Sequence, residues 1–319
     1  MGFDLRMADT TGFLQSLNVS LFSCFMGSCL DLIGCGVMKL FTVAGVMLGI
    51  LAGGVGCSSQ MKMPKNTGEA SSSVLTITYI GSSGYLIETE NKKIMVDAAF
   101  DNFVETFEVT VPSEEVRARI AKGEAPYNRI DLFLVTHSHR GHFDPVLLLS
   151  AIENNPHAQV VTNQTVYDAL MALSSEFTPA LERVFFPAIK PGEQQTKQFN
   201  GISVHMAMTD HWGGLRQLNF EFCVDSYNVL FALEPDGYVQ QGDIDLQFTS
   251  SFESDLESEL APKSKSNLEV KYRVLTHQSG NDKKVRRRAE ADEMANAGFL
   301  MHSGEQLELF RVGDDMRVQ

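Results

Sequence analysis

The stretch Thr136-His137-Ser138-His139-Arg140-Gly141-His142 directly follows the mainly apolar residues 130–135. Side chains on a strand alternate between its two faces, so histidines spaced by two and three residues cannot all share one face. Where a strand ends and the chain turns outward, the three rings can converge on one point. Neutral imidazole is the commonest protein ligand for metals and suits zinc and iron. The chain has eight histidines in 319 residues, and three of them fall within six positions. The spacing therefore predicts a metal site rather than a polar surface loop.

The composition is that of an acidic globular protein. The formal net charge is −14, with 26 Lys and Arg residues against 40 Asp and Glu residues. Proteins that bind nucleic acid need a basic surface for the phosphates, so this balance argues against nucleic acid as a partner. A hydrophobic fraction of 44% and a charged fraction of 21% suit a packed core.

The N-terminal region has the pattern of an export signal. Met38-Lys39-Leu40-Phe41 opens an almost uncharged apolar run that extends to Gly56. A positive residue, a short apolar segment and small residues before a cleavage point are typical of such signals. Cys57 follows the small residues, and this arrangement resembles the lipobox of bacterial lipoproteins, although Gly54 stands where leucine is usual.

This interpretation divides the chain into segments. Residues 1–37 are an upstream extension of the reading frame, 38–57 a lipoprotein-type signal segment with Cys57 lipidated, 58–72 a linker and 73–319 one domain. We expect an exported bacterial lipoprotein at the periplasmic face of the cell envelope, with membrane contact only through the N-terminal lipid or signal anchor. An uncleaved membrane-anchoring helix is the alternative, because the apolar run is near the ~20 residues that such a helix needs.

Strand and helix signals follow one another along the domain. Apolar, β-branched runs between turn residues predict strands at 74–80, 85–88, 93–96, 130–136, 159–161, 183–186, 202–208, 218–224, 228–233, 271–276 and 305–311. Caps and periodicity predict helices at 114–121, 146–153, 166–173 and 282–297. This order predicts an α/β fold, a four-layer αββα sandwich with its site at the strand ends. The serine- and glutamate-rich residues 245–268 are interpreted as a surface insertion or mobile flap.

The chain resembles the metallo-β-lactamase superfamily, whose hallmark is a strand that ends in Thr-His-x-His-x-Asp-His. The resemblance extends over nearly all of residues 74–311, and within the superfamily the chain most resembles the exported bacterial branch. It includes residues 81–88, the strand-end Asp97 and the helix cap Asp144-Pro145. The resemblance implies the αββα sandwich of that superfamily and a centre with two metal positions.

Ligand roles follow from the same resemblance. His137, His139 and His211 would bind the first metal, and His142 and His277 the second. Asp97 is expected behind the ligands, hydrogen-bonded to a ligand histidine.

Two positions depart from the superfamily pattern. Gly141 stands where the motif has aspartate, so the second metal position is partly degenerate. The bridging carboxylate after the predicted hairpin has no clear match. Glu234 is favoured as bridging ligand and catalytic residue, with Asp243 of Gly242-Asp243 as the alternative. Arg140 is a candidate for binding an anionic group of the substrate.

These residues predict a metal-dependent hydrolase with one or two bound Zn²⁺ ions, with manganese or iron as other choices. Its substrate would be a small ester, lactone, amide or phosphodiester, attacked by a metal-bound hydroxide. His137, His139 and His211 leave a fourth zinc position for water, so hydrolysis with one metal is feasible without a carboxylate at residue 141. The alternative is a catalytically degenerate lipoprotein of the same fold that acts as a binding or scaffold protein.

Overall fold

A computed structural model describes residues 74–101, 110–173, 179–233, 238, 240–250, 269–276 and 296–318. These residues form two β-sheets packed face to face, and three helices cover the outer face of the first sheet. The strands are, in chain order, β1 (Val74–Gly81), β2 (Gly84–Glu88), β3 (Lys93–Val96), β4 (Leu132–Leu134), β5 (Gln159–Val161), β6 (Val184–Phe185), β7 (Gln194–Phe199), β8 (Ile202–His211), β9 (Leu215–Val224), β10 (Tyr227–Phe231), β11 (Ile244–Ser250), β12 (Val270–Thr276), β13 (Ala297–Phe299), β14 (Gln306–Val312) and β15 (Asp315–Val318). The helices are α1 (Glu114–Lys122), α2 (Pro145–Glu153) and α3 (Gln164–Leu173). The predicted α/β class is confirmed.

Each sheet combines an antiparallel half with a parallel half. The first sheet has the order β15-β14-β1-β2-β3-β4-β5-β6, antiparallel up to β3 and parallel from β3 onward. The second sheet has the order β13-β12-β11-β10-β9-β8-β7, parallel from β13 to β10 and antiparallel from β10 to β7. Neighbouring parallel strands end at the same edge, and in α/β sheets that carboxyl edge is where ligands bind. The histidine motif follows β4 at this edge.

Two apolar clusters hold the layers together. Between the sheets, the buried ring of Tyr85 lies against Phe231 and Phe248, with ring centroids 6.4 and 4.6 Å apart. Under the helices, Phe133 of the first sheet packs with Leu148 of α2 in a separate buried cluster. Removal of this apolar surface from water, at about 25 cal/mol per Å², is the main favourable term that joins the layers.

Capping residues define the ends of the helices. The Ser113 hydroxyl accepts a hydrogen bond from the Val116 N–H at 3.2 Å, and Gly123 ends α1 with a left-handed φ of 60°. The Asp144 carboxylate accepts from the Leu147 N–H at 2.8 Å and so starts α2. No helix in the described part of the chain is long and apolar enough to cross a membrane. The cap at Asp144 fixes where the loop with the histidine motif ends.

The prediction of a surface insertion at residues 245–268 is wrong for residues 245–250. Residues 244–250 are β11, an interior strand of the second sheet between β10 and β12. Leu246 and Phe248 are buried, but so are Asp245 and Thr249, because the strand is covered on both faces. The polar composition of the stretch concealed a strand whose polar side chains find partners inside the fold. Residues 251–268 lie outside the described residues.

Other differences lie at the sheet edges. Strand β7 was not predicted because Gln194-Gln195-Thr196-Lys197-Gln198 carries no apolar alternation, which an edge strand can do without. The predicted helix at 282–297 lies outside the described residues except for its end, where Ala297 begins β13 instead. Of the four predicted layers, the described residues contain the two sheets and one helical layer.

Candidate metal centre

The histidine motif forms a tight loop between β4 and α2. The N–H groups of His142 and Phe143 both donate to the His139 carbonyl, at 3.0 and 3.1 Å, so the chain reverses direction within the motif. The Asp144 N–H donates to the Ala99 carbonyl at 2.8 Å, which ties the end of the loop to the residues after β3. The loop is therefore held by backbone hydrogen bonds at the carboxyl edge of the first sheet.

Three imidazole rings meet at this edge. The Nε2 atom of His137 lies 2.9 Å from the Nδ1 atom of His139. The same Nδ1 atom lies 3.2 Å from the Nε2 atom of His211. One ring nitrogen from each histidine lies within 4.8 Å of the others. His137 is buried while His139 and His211 are partly exposed, so the cluster is accessible from one side.

Contacts between the two sheets bring His211 to the motif. His211 is the last residue of β8, which pairs with β9. The Leu218 N–H of β9 donates to the Thr136 carbonyl at 3.0 Å. The Asn163 amide donates to the Arg216 carbonyl at 2.7 Å. These bonds hold the edge of the second sheet against the end of β4, although His139 and His211 are 72 residues apart.

The donor set fits a small transition-metal cation. A tetrahedral zinc ion with Zn–N distances of about 2.0–2.1 Å places its ligand nitrogens about 3.3 Å apart. The two separations that involve the Nδ1 atom of His139, 2.9 and 3.2 Å, are within a few tenths of an ångström of that spacing, and all three nitrogens lie within 4.8 Å of one another. Three imidazole nitrogens suit zinc, iron or copper, whereas magnesium and calcium prefer oxygen ligands.

A fourth histidine lies beside the cluster and contacts a buried carboxylate. The ring centroids of His142 and His137 are 4.0 Å apart. The Nδ1 atom of His142 lies 2.7 Å from the Oδ2 atom of Asp97. Asp97 also accepts from the Thr136 N–H at 2.8 Å and from the Thr136 hydroxyl at 2.6 Å. A carboxylate that holds the far nitrogen of a histidine is the usual support for a metal ligand.

Asp97 has a strained backbone conformation and a side chain that is shielded from solvent. Its backbone φ is 46°, in the left-handed region, and its side chain is buried. Burial raises the pKa of Asp97 from its ordinary value of 3.8 to about 8, although the hydrogen bonds from Thr136 and the charge of His211 lower it. A cation held by the neighbouring histidines would favour the ionised carboxylate. Strain of this kind persists where the surrounding structure enforces it, as at functional sites.

Ser83 lies near this pair, but the three residues do not form a catalytic triad. The Ser83 hydroxyl is 3.4 Å from the Nδ1 atom of His142. Asp97 contacts the same nitrogen. A triad needs the serine and the aspartate on opposite nitrogens of the ring, so that the histidine can move a proton between them. The geometry supports an orienting role for Asp97 and excludes serine activation.

Comparison with known proteins assigns the chain to a family. Residues 76–251, more than half of the chain, match the family model of a beta-lactamase superfamily domain. The chain belongs to the beta-lactamase superfamily. The match includes the histidine motif, Asp97 and His211. No curated protein sequence matches the chain.

Several solved structures are similar to the chain. Igni18, a metallo hydrolase from the archaeon Ignicoccus hospitalis KIN4/I, is 14% identical with a TM-score of 0.49, over 74% of this chain and 98% of that one. YhfI from Bacillus subtilis, a metallo-beta-lactamase fold protein, is 15% identical with a TM-score of 0.48, over 74% and 99%. A protein of Parabacteroides distasonis ATCC 8503 is 16% identical with a TM-score of 0.48, over 73% and 94%.

The structure describes only some of the remaining predicted site residues of this superfamily member. Arg140 lies in the motif loop with an exposed side chain, and Gly141 is buried beside it. Glu234 and His277 lie outside the described residues. Asp243 does not approach the histidines. It precedes β11, and its carboxylate accepts from the Glu269 N–H at 3.1 Å, before the start of β12.

Strand direction explains the position of Asp243. Phe248 of β11 pairs with Phe231 at the end of β10, near the site edge. Asp243 lies five residues earlier, or about 16 Å back along the strand at ~3.3 Å per residue. At this distance Asp243 cannot be the alternative bridging ligand of the metal centre.

Thr136 is the site residue that sequence reasoning left without a role. It begins the motif, is buried and contacts both Asp97 and His137. Asp97 and Thr136 are 39 residues apart, and a threonine before a histidine carries no local signal of such a partner. The contact depends on the parallel pairing of β3 with β4, which aligns their carboxyl ends.

Proposed function

We propose that this protein is a metal-dependent hydrolase that binds zinc through His137, His139 and His211. The observation that carries the proposal is the meeting of three ring nitrogens from two distant segments within 4.8 Å. Three nitrogens at metal-ligand spacing at the carboxyl ends of strands are expected for a bound cation.

The donor set determines the chemistry. All three proposed ligands are neutral, so they leave the charge of a divalent cation uncompensated. When bound, zinc supplies Lewis acidity and lowers the pKa of a coordinated water. His142, with Glu234 and His277, is proposed for a second metal position. Gly141 contributes no carboxylate there, so we expect the second position to bind more weakly than the first.

The residues around the centre would orient the ligands and the substrate. Asp97 and Thr136 are buried, as is His137, on the side of the motif away from solvent. Arg140, on the exposed side of the motif loop, presents a guanidinium that can bind a carboxylate or phosphate oxygen pair. We therefore propose a small ester, lactone, amide or phosphodiester as substrate, and no nucleic acid, since the net charge is −14.

Metal content and turnover test this function. Purified protein is expected to retain about one equivalent of metal and to hydrolyse at least one member of a panel of esters, lactones, amides and phosphodiesters. His139→Ala removes the nitrogen that lies between the other two and is expected to abolish both properties without unfolding the domain.

His205→Ala is the matched control for this experiment. His205 lies on β8, the strand of His211, but contacts Thr196 and Gln194 instead of the cluster. This variant should keep its metal and its activity. A protein that binds no metal, with a melting temperature unchanged by added zinc, would instead be a binding or scaffold member of the superfamily.

The cellular location is proposed from the N-terminal sequence. The apolar run that ends before Cys57 supports export and lipidation of that cysteine in a bacterium. The hydrolase would then act at the periplasmic face of the envelope, tethered through residues 58–72.

A further inference from the structure

We infer that Thr136 is a positioning residue whose hydroxyl connects Asp97 to His137, so that one carboxylate sets the tautomers of two imidazoles. This inference rests on the proposed function and deepens it, because it names what prepares the motif for the cation. Thr136 would touch neither the metal nor the substrate.

The direction of each hydrogen bond follows from the groups present. The backbone N–H of Thr136 can only donate, and it does so to the Oδ1 atom of Asp97 at 2.8 Å. The Oδ2 atom of Asp97 also faces the Nδ1 atom of His142, so it acts as an acceptor, and the hydroxyl of Thr136 donates its single proton to it at 2.6 Å. Towards the Nδ1 atom of His137, 2.9 Å away, the hydroxyl oxygen can then only accept. The proton of neutral His137 must therefore lie on Nδ1.

This tautomer leaves the lone pair of His137 on Nε2. Nε2 is the nitrogen that faces the cluster, 2.9 Å from the Nδ1 atom of His139. A neutral imidazole binds a metal through the nitrogen that has no proton. The hydroxyl of Thr136 therefore directs the lone pair of His137 towards the position where the three histidines meet.

The same carboxylate oxygen acts on His142. The Oδ2 atom of Asp97 lies 2.7 Å from the Nδ1 atom of His142, so Asp97 as acceptor holds the proton of His142 on Nδ1 as well. Asp97 thus reaches His142 directly and His137 through Thr136. His139 differs, because it presents Nδ1 to the cluster.

Burial keeps water from replacing the hydroxyl of Thr136 in these hydrogen bonds. Thr136 and His137 are 0% exposed, Asp97 is 1% exposed and His142 is 4% exposed. Water has little access to replace the hydroxyl of Thr136. Parallel pairing of β3 with β4 and the bond from the Leu218 N–H to the Thr136 carbonyl hold the strand end in place. Loss of the hydroxyl should therefore change the tautomer of His137 and not only the packing.

Three variants test the inference. Thr136→Val keeps the shape of the side chain and removes the hydroxyl, and Thr136→Ser restores it. Thr162→Val is the matched control, because Thr162 is also buried and its hydroxyl donates to the Val135 carbonyl at 3.2 Å rather than to a histidine. Zinc affinity is measured by competition with a chelator. Histidine tautomers are read by ¹⁵N NMR of metal-free protein at about pH 9, where free imidazole is neutral.

The expected results separate positioning from packing. Wild-type His137 and His142 should both show the Nδ1-protonated tautomer. Thr136→Val should weaken zinc binding by about 10–100-fold and lose that tautomer at His137, whereas Thr136→Ser and Thr162→Val should stay within about threefold of wild type. Thermal unfolding of each variant accounts for any general loss of stability.

The inference fails if wild-type His137 carries its proton on Nε2, a result that needs no variant to fold. It also fails if folded Thr136→Val binds zinc as wild type does. The proposed function fails separately, if wild-type protein binds zinc but hydrolyses nothing. If it binds no metal, the tautomer of His137 alone decides the role of Thr136.

Discussion

Asp245 provides a sharp test of how the two sheets are joined. This buried residue of β11 contacts Lys271 of β12 at 3.1 Å and Arg311 of β14 at 2.5 Å. It also accepts from the Asn228 N–H at 2.9 Å. Because β14 belongs to the first sheet and β11 to the second, the carboxylate joins the sheets at the end opposite to the histidines. We predict that Asp245→Ala destabilises the domain without weakening zinc binding.

The magnitude follows from what the truncation leaves behind. Breaking a buried ion pair by removing one partner costs about 3–5 kcal/mol. The side chains of Lys271 and Arg311 are 20% and 34% exposed, so water can partly solvate them, and we expect a loss near the lower end. A loss of about 3 kcal/mol corresponds to a fall in melting temperature of roughly 6–12 °C for a domain of this size. Asp245→Asn keeps an acceptor for the Asn228 N–H and should lose about 1–2 kcal/mol.

Urea and thermal unfolding measure this loss, with zinc affinity determined on the same samples. Asp315→Ala is the control, because Asp315 is an exposed aspartate on the edge strand β15, and it should change the free energy of unfolding by less than about 0.5 kcal/mol. The reasoning is refuted if the free energy of unfolding of Asp245→Ala is within about 1 kcal/mol of the wild-type value, which is roughly a tenth of the stability of a typical domain. A parallel tenfold loss of zinc affinity would refute the separation between this ion cluster and the metal centre.

Two further predictions concern the second metal position and the N-terminus. Gly141→Asp adds a carboxylate at the proposed second metal position and should raise the zinc content towards two equivalents, measured by elemental analysis. An unchanged zinc content would contradict the assignment of residue 141 to that position. Cys57→Ser should abolish incorporation of a labelled fatty acid when the full chain is expressed in a bacterium, while Cys223→Ser should not. Equal labelling of wild type and Cys57→Ser, or no labelling of either, would favour an uncleaved membrane anchor.

Much of the first sheet could be predicted from local sequence. The strands at 74–81, 84–88 and 93–96 and both caps of α1 depend on short-range alternation, turn residues and side-chain capping, which act within a few positions. The position of the histidine motif could be predicted in the same way, because the preceding strand and the following capped helix lie close to it in the sequence. Strand β11 was missed because Asp245 is stabilised by Lys271 and Arg311, and no local pattern reveals partners 26 and 66 residues away.

For the candidate site, the sequence by itself determined the chemistry that is available: imidazoles at ligand spacing and a strand-end aspartate. Only the tertiary structure decided which of them meet. It brought His211 to the motif through contacts between the sheets, directed Asp97 to His142 and Thr136, and left Asp243 at the opposite edge. The physical reason is that residue types and local propensities are properties of short segments, whereas distances between ligand atoms depend on sheet order and strand direction, which the whole chain sets together.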